Sequence, residues 1–183
     1  MPPRPAAKSD PSPGNHSDPD FVLSRDFDAP RELVWKCWTE NDHLKEWFGP
    51  KGIPIVHCTN DLRIGGVFHY GMQTPPEAGG IVMWGKWTYL DITPPRRLVF
   101  IVSFSDERGG VTRHPFSESW PMELRSVILF DEISPGKTRV TVRWSHHNAT
   151  EAERATFNQG HSSMVVGWTG TMDKFQEFLT RQH

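Results

Sequence analysis

The chain has 183 residues, the length of one domain, and 36% of them are apolar and 23% charged. These fractions are typical of globular proteins and exclude a chain that is wholly disordered or fibrous. The net charge of −2, with no run of five like charges, argues against nucleic acid or an anionic membrane surface as the main partner. No apolar run reaches the ~18 residues of a membrane-spanning helix. The first residues lack an apolar signal region, so we expect a cytoplasmic protein with reduced cysteines.

The N-terminal segment differs in composition from the rest of the chain. Residues 1–20 are rich in proline and contain no aromatic or β-branched side chain. Such a segment buries too little apolar surface to offset the entropy lost on ordering, so we predict a disordered or loosely docked tail. The prediction is therefore a Pro-rich tail at 1–20 followed by a single domain at 21–183.

The domain is predicted to begin with a strand and two helices. Residues 21–27 form the strand, and residues 28–39 form a helix with Pro30 at its first position, where the missing N–H has no consequence. Residues 39–42 (TEND) resemble a capping box that starts a second short helix, which ends near Trp47.

The middle of the chain alternates apolar and polar residues, the period of strands. The predicted strands are 53–60, 67–72, 81–92, 97–105, 123–132 and 138–144. The segment DLRIGG at 61–66 is predicted to be a hairpin turn, in which the glycines supply positive φ. Residues 106–120 lack periodicity and are predicted to be a long loop, a kind of segment that is often functional.

The last element is predicted to be a helix. A capping box at 150–153 precedes an apolar stripe that includes Phe157, Met164, Val165 and Trp168. We expect one continuous helix from about 151 to about 180. The order β-α-α-β-β-β-β-β-β-α indicates an α+β fold with an antiparallel sheet covered by this helix.

Four segments in this order resemble a known family. They are RDFDAPRELVWKCWTENDHLKEWFGP (25–50), DLRIGGVFHYGM (61–72), ITPPRRLVF (92–100) and GW (167–168) before the last apolar helix. They are similar to the heat-shock-protein-90 ATPase activator homologue family of the START-related SRPBCC superfamily. The resemblance implies a helix-grip fold, in which a curved antiparallel sheet wraps around the C-terminal helix. It also implies small-molecule binding, as in the stand-alone relatives of the family. The superfamily further includes polyketide cyclases, lipid carriers and hormone receptors.

The aromatic composition favours a cavity. There are 8 Trp and 11 Phe but 2 Tyr, so most of the flat side-chain surface carries no hydroxyl. These side chains either fill the core or line a cavity for an apolar or aromatic ligand. The predicted ligand-binding residues are Phe68, Tyr70, Trp87, Phe104, Trp120, Trp144, His161, Met164 and Trp168. We expect no cofactor, because no phosphate-binding or metal-binding spacing occurs.

The histidines do not have the spacing of a metal site. His146 and His147 are adjacent in a strand and therefore point to opposite faces. His161 lies on the apolar stripe of the last helix, where it is either a core histidine or a residue that contacts ligand. The loop at 106–120 would then cover the cavity, with Phe116 and Trp120 as its apolar contacts.

Three functions follow from these observations. The leading hypothesis is a single-domain binder of a small hydrophobic or aromatic molecule, and the sequence leaves both a monomer and a homodimer open. The second is an enzyme, cyclase-like or hydrolase-like, in which His161 or Asp91 acts as acid or base. The third is a chaperone-regulating interaction module. The family's eukaryotic namesake couples this domain to a second, chaperone-binding domain, for which 183 residues leave no room.

Overall fold

The computed structural model describes residues 18–182, so most of the predicted tail at 1–20 lies outside the described residues. The elements follow the predicted order, with a strand, two helices, six strands and a helical C-terminal region. Within residues 18–182, no helix is long and apolar enough to cross a membrane.

The strands and helices have the following bounds. The strands are β1 (Phe21–Phe27), β2 (Ile55–Asn60), β3 (Val67–Gln73), β4 (Val82–Thr93), β5 (Arg97–Ser105), β6 (Glu123–Ser134) and β7 (Lys137–His147). The helices are α1 (Arg31–Thr39), α2 (Asn41–Trp47), α3 (Glu151–Gln159) and α4 (His161–Thr180), with a short 3₁₀ turn at Pro76–Ala78.

All seven strands form one antiparallel sheet in the order β1-β7-β6-β5-β4-β3-β2. Strands β2 to β7 pair with their neighbours in sequence. Strand β1 instead pairs with the last strand, where Phe21 lies opposite Trp144. Register shifts within the β2–β3, β4–β5 and β6–β7 pairs bend the sheet, which curves around α4 and confirms the predicted fold class.

The prediction of one continuous C-terminal helix is wrong, because the helical region divides at Gly160 into α3 and α4. The capping box that begins α3 is confirmed, since the Thr150 hydroxyl accepts from Glu153 N and the Glu153 carboxylate accepts from Thr150 N. At the break, Trp120 lies 3.3 Å from the position a Cβ on Gly160 would occupy. The close approach of this indole favours glycine where the two helices meet.

Three local predictions also need correction. Pro30 is the N-cap of α1 with extended backbone, and not its first helical residue. The Thr39 hydroxyl donates to Trp35 O within α1, so residues 39–42 do not form a capping box for α2. Val165 was expected on the buried stripe but is 45% exposed.

The DLRIGG segment is a turn, as predicted. Gly65 has a φ of +80°, and a Cβ on Gly66 would collide with the carbonyl oxygen of Asp61. The Arg63 Nε donates to the Asp61 carboxylate at 2.8 Å, and both side chains are exposed. These contacts account for the residue types in this segment without a ligand.

One end of the space between sheet and helices is filled by aromatic rings. The Trp38 ring on α1 contacts Trp47, Phe130 and Phe175, with ring centroids 4.8, 5.7 and 6.0 Å away. All four side chains are fully or almost fully buried. We call Trp38, Trp47, Phe130 and Phe175 the packed cluster.

Candidate functional site

The other end of this space contains a cavity of about 250 Å³. It lies between strands β3 to β7 and the first half of α4, and two loops close its sides. The side chains that line it include Phe48, Tyr70, Met72, Trp87, Phe100, Val102, Phe104, His114, Trp120, Leu124, Trp144, Met164, Trp168 and Thr171. The wall is therefore mainly aromatic.

Strand alternation places one row of residues on this wall. Tyr70 pairs with Gly85, which in turn pairs with Phe104 on the next strand. A Cβ on Gly85 would lie 2.6 Å from the Tyr70 hydroxyl oxygen, so glycine leaves the space that the phenol occupies. Burial raises the pKa of the Tyr70 hydroxyl well above its usual range, and the phenol stays neutral.

The indoles of the wall are held by neighbouring rings. Trp168 stacks on Trp38 of the packed cluster, with 6.3 Å between centroids and 9° between planes. Its indole also lies edge-on to Trp144, at 5.4 Å. On the sheet, Trp87 stacks on Phe100 at 4.2 Å. These contacts orient the rings before any ligand arrives.

The loop at 106–120 forms one side of the cavity through His114 and Trp120. The His114 ring packs on Phe104, with 4.5 Å between centroids. Its Nδ1 accepts a hydrogen bond of 2.9 Å from the backbone N–H of Phe116. Burial lowers the pKa of His114, so the neutral ring is favoured near pH 7.

This loop is attached to α3 by an ion pair. Arg113 Nη1 lies 2.6 Å from the Glu153 carboxylate, and the Glu153 side chain is almost fully buried. The Arg113 guanidinium, helped by the Thr150 N–H, lowers the pKa of Glu153. The Thr156 hydroxyl adds a 2.8 Å hydrogen bond to Ser119. The cavity side formed by the loop is thus fixed to α3.

Permanently charged side chains and thiols are absent from the described wall. None of the lining residues within 18–182 is Asp, Glu, Lys, Arg or Cys. The two cysteines lie elsewhere, and burial raises the pKa of the Cys37 thiol to about 12 and that of Cys58 to about 11. In the part of the chain that the structure describes, no three His, Cys, Asp or Glu side chains are grouped to hold a metal ion.

Comparison with known proteins identifies the family. Residues 28–180 match the family described as Activator of Hsp90 ATPase homolog 1-like protein. The chain belongs to this family. The predicted family resemblance is therefore confirmed. A comparison with curated proteins finds no match.

Solved structures of similar fold support this assignment. A Nitrosomonas europaea protein is 29% identical, with a TM-score of 0.68 over 89% of this chain and 95% of that one. An Arthrobacter aurescens protein is 23% identical, with a TM-score of 0.71 over 88% and 86%. The Silicibacter pomeroyi protein titled AHSA1 is 17% identical, with a TM-score of 0.66 over 90% and 100%. At identities below 25%, the likeness shows the fold alone.

The cavity of this family member contains seven of the nine predicted ligand-binding residues. These are Tyr70, Trp87, Phe104, Trp120, Trp144, Met164 and Trp168. Phe68 faces the same side of the sheet but lies beneath the wall, fully buried against Phe48, Tyr70 and Trp87. Whether the seven bind a ligand stays a prediction.

His161 does not line the cavity. Its ring lies edge-on to Phe21 and Phe157, at 5.9 and 5.2 Å, and its Nε2 has no hydrogen-bond partner among the described residues. Asp91 also lies outside the cavity, where its carboxylate accepts from Arg97 Nε at 3.0 Å.

Sequence reasoning missed several residues of the wall, among them Phe48, His114 and Gly167. Phe48 follows the end of α2, and His114 lies in a loop without periodicity, so no pattern marked either one. Gly167 on α4 belongs to the GW segment of the family resemblance, and no pattern predicted a place for it in the cavity. The loop residue Phe116, expected as a cavity contact, is 65% exposed and does not line the cavity.

Proposed function

We propose that the chain binds one small, uncharged, mainly aromatic molecule in this cavity. The observation that carries the proposal is the wall itself, in which aromatic rings predominate and no described lining residue carries a permanent charge. Flat rings offer a ligand dispersion and stacking contacts, whereas such a wall offers water few hydrogen bonds. The cytoplasm stays the predicted location, and small molecules the predicted partners.

The volume limits the size of this ligand. An apolar cavity of about 150 Å³ in another protein holds benzene, which has six carbon atoms. By that ratio, a cavity of about 250 Å³ accommodates ~10 non-hydrogen atoms, the size of two fused aromatic rings. Larger lipids would extend beyond this volume.

Gly167 lines the cavity and has open space beside it. No atom lies within 4 Å of the position that a Cβ on Gly167 would occupy, so a larger residue would meet open space. An interior glycine destabilises a helix by about 0.5–1 kcal/mol relative to alanine. A side chain at this lining position would therefore be accommodated, and we propose that it would occupy part of the cavity.

We propose binding rather than turnover. The titratable side chains that line the cavity within residues 18–182 are Tyr70 and His114, and burial favours the neutral form of both. His161 and Asp91, the residues on which the enzyme hypothesis depended, lie outside it. A nucleophile beside a base, as covalent catalysis requires, is not found among the described lining residues.

The test uses naphthalene, which has two fused rings and no polar atom. Protein labelled with ¹³C at the methionine methyl groups is titrated with naphthalene and followed by NMR. Met72 and Met164 line the cavity, whereas Met83 and Met122 do not. We expect the methyl signals of Met72 and Met164 to shift and to saturate, and those of Met83 and Met122 to stay in place.

A filled cavity provides the matched control. Gly167→Leu places a side chain in the open space and should weaken naphthalene binding at least tenfold. Val166→Leu changes a neighbouring residue that is 74% exposed and should leave binding unchanged. Equal binding by both variants, or shifts spread over all methionines, would contradict the proposal.

A further inference from the structure

We infer that the ligand carries a hydrogen-bond acceptor and that His114 selects it, by donating from Nε2. This inference rests on the proposed function and specifies the ligand's chemistry. It would make His114 the specificity-determining residue of a mainly aromatic wall.

The loop backbone determines the tautomer of His114. The N–H of Phe116 donates to His114 Nδ1 at 2.9 Å, so this nitrogen uses its lone pair and carries no proton. In a neutral imidazole the proton is then on the other nitrogen. Nε2 is therefore an N–H donor on a ring that borders the cavity.

The surroundings of the ring keep it neutral. His114 packs against Phe104 and Trp120, with centroids 4.5 and 6.1 Å away. Burial among these rings lowers its pKa, and no described lining residue supplies a carboxylate to oppose that effect. The cation of the preceding residue, Arg113, lies 2.6 Å from the Glu153 carboxylate. The donor offered to the ligand is thus an uncharged N–H.

Two other polar groups of the wall are already paired. The Thr171 hydroxyl donates to the carbonyl of Gly167 at 3.0 Å, and Trp144 Nε1 donates to the Ser126 hydroxyl at 3.0 Å. Nε2 of His114, by contrast, makes no hydrogen bond within residues 18–182. An unpaired donor at an apolar wall favours a ligand that brings an acceptor.

The same wall disfavours an anionic acceptor. A carboxylate or phosphate transferred into it would lose its hydration, and no described lining Lys or Arg would compensate. The suitable acceptors are therefore neutral ones, such as an aromatic ring nitrogen, a ketone or an ether. The inferred class is a neutral bicyclic heteroaromatic or aryl ketone.

The test compares naphthalene with quinoline, which has the same shape and one acceptor nitrogen. Quinoline loses more hydration on binding than naphthalene does, so the ratio of their Kd values in one protein does not isolate the hydrogen bond. The ratio is therefore compared between wild type and variants. The amide oxygen of His114→Asn can replace Nδ1 as acceptor for the Phe116 N–H, but the side chain is too short to donate from the Nε2 position. His114→Gln can place an amide N–H there.

We expect His114→Asn to weaken quinoline binding relative to naphthalene by about 2- to 10-fold, the net value of one neutral hydrogen bond. His114→Gln should keep most of the wild-type ratio. Tyr70→Phe removes the phenol of the wall, and a fall of the ratio in this variant instead of in His114→Asn would assign the donor to Tyr70. Indole offers an N–H but no comparable acceptor. The ratio of its Kd to that of naphthalene should therefore be the same in His114→Asn and in wild type.

The outcomes separate this inference from the proposed function. If wild type binds no naphthalene, both fail. If naphthalene binds and the quinoline ratio is unaltered in His114→Asn, or falls in Tyr70→Phe instead, the inference alone is overturned. If His114→Asn does not fold, ¹⁵N-labelled quinoline bound to wild type decides. Its nitrogen signal should move in the direction of a hydrogen-bonded nitrogen, and a signal equal to that in an apolar solvent overturns the inference.

Discussion

The two ends of the space beneath α4 contain the same kinds of residues in different states. In the packed cluster, Trp38, Trp47 and Phe175 contact one another, and little space remains. At the cavity, Trp144 and Trp168 enclose about 250 Å³ instead. The difference is in what covers each end, because α1 and α2 insert two indoles at one end, whereas a loop covers the other. Aromatic content alone therefore does not decide between core and cavity.

The largest effect is expected in the packed cluster. Trp38→Ala removes a fully buried indole with rings on several sides, so it should lower the free energy of unfolding by about 3–5 kcal/mol. Trp38→Phe, which keeps most of the contacts, is the control, and chemical denaturation measures both. A loss of less than about 1 kcal/mol in the alanine variant would mean that this end is not tightly packed.

Trp168 lies at the boundary between the two ends and tests the comparison directly. Trp168→Ala loses the stacking on Trp38 but mainly enlarges a space that already exists. We expect a smaller loss of about 2–3 kcal/mol, close to the value of burial without a new void. A loss equal to that of Trp38→Ala would indicate that the cavity end is as tightly filled as the packed cluster.

Gly167→Ala should stabilise the protein, by about 0.5–1 kcal/mol. The added methyl group meets open space, and helix propensity then decides the sign. Gly170→Ala on the same helix is the control, since its Cβ would make an ordinary contact of 3.7 Å with Lys51. Thermal denaturation distinguishes the outcomes, and a destabilised Gly167→Ala would show that the cavity is occupied by protein.

The smallest expected effect concerns pH. Burial lowers the pKa of His114 in the folded state below its unfolded value of about 6.5. As pH falls through that value, the unfolded chain binds more protons at this site, so the stability of the folded state declines. His114→Asn removes this contribution. Between pH 8 and pH 5, wild type should therefore lose more stability than the variant in urea denaturation, and equal losses would contradict the burial of this ring.

Periodicity explains which parts of the site the sequence could predict. Strand alternation assigned Tyr70 and Trp144 to the inner face, and the helical stripe did the same for Met164 and Trp168. The stripe failed at His161 because it was extended across Gly160, where the helix divides. His114 was not recognised as a cavity residue because its position depends on hydrogen bonds within a loop, and such bonds leave no periodic pattern.

The position of β1 at the edge of the sheet has a consequence for folding kinetics. Strands β2 to β7 pair with neighbours in sequence, but the contact between Ser24 on β1 and Thr141 on β7 spans 117 residues. Closing so long a loop is slow relative to forming hairpins. We therefore expect β1 to join late, after the six-strand meander. Since Phe21 on β1 packs on Trp144 and His161, the end of α4 beside the cavity should acquire its final packing in that last step. Substitutions in β1 should then accelerate unfolding more than they slow refolding.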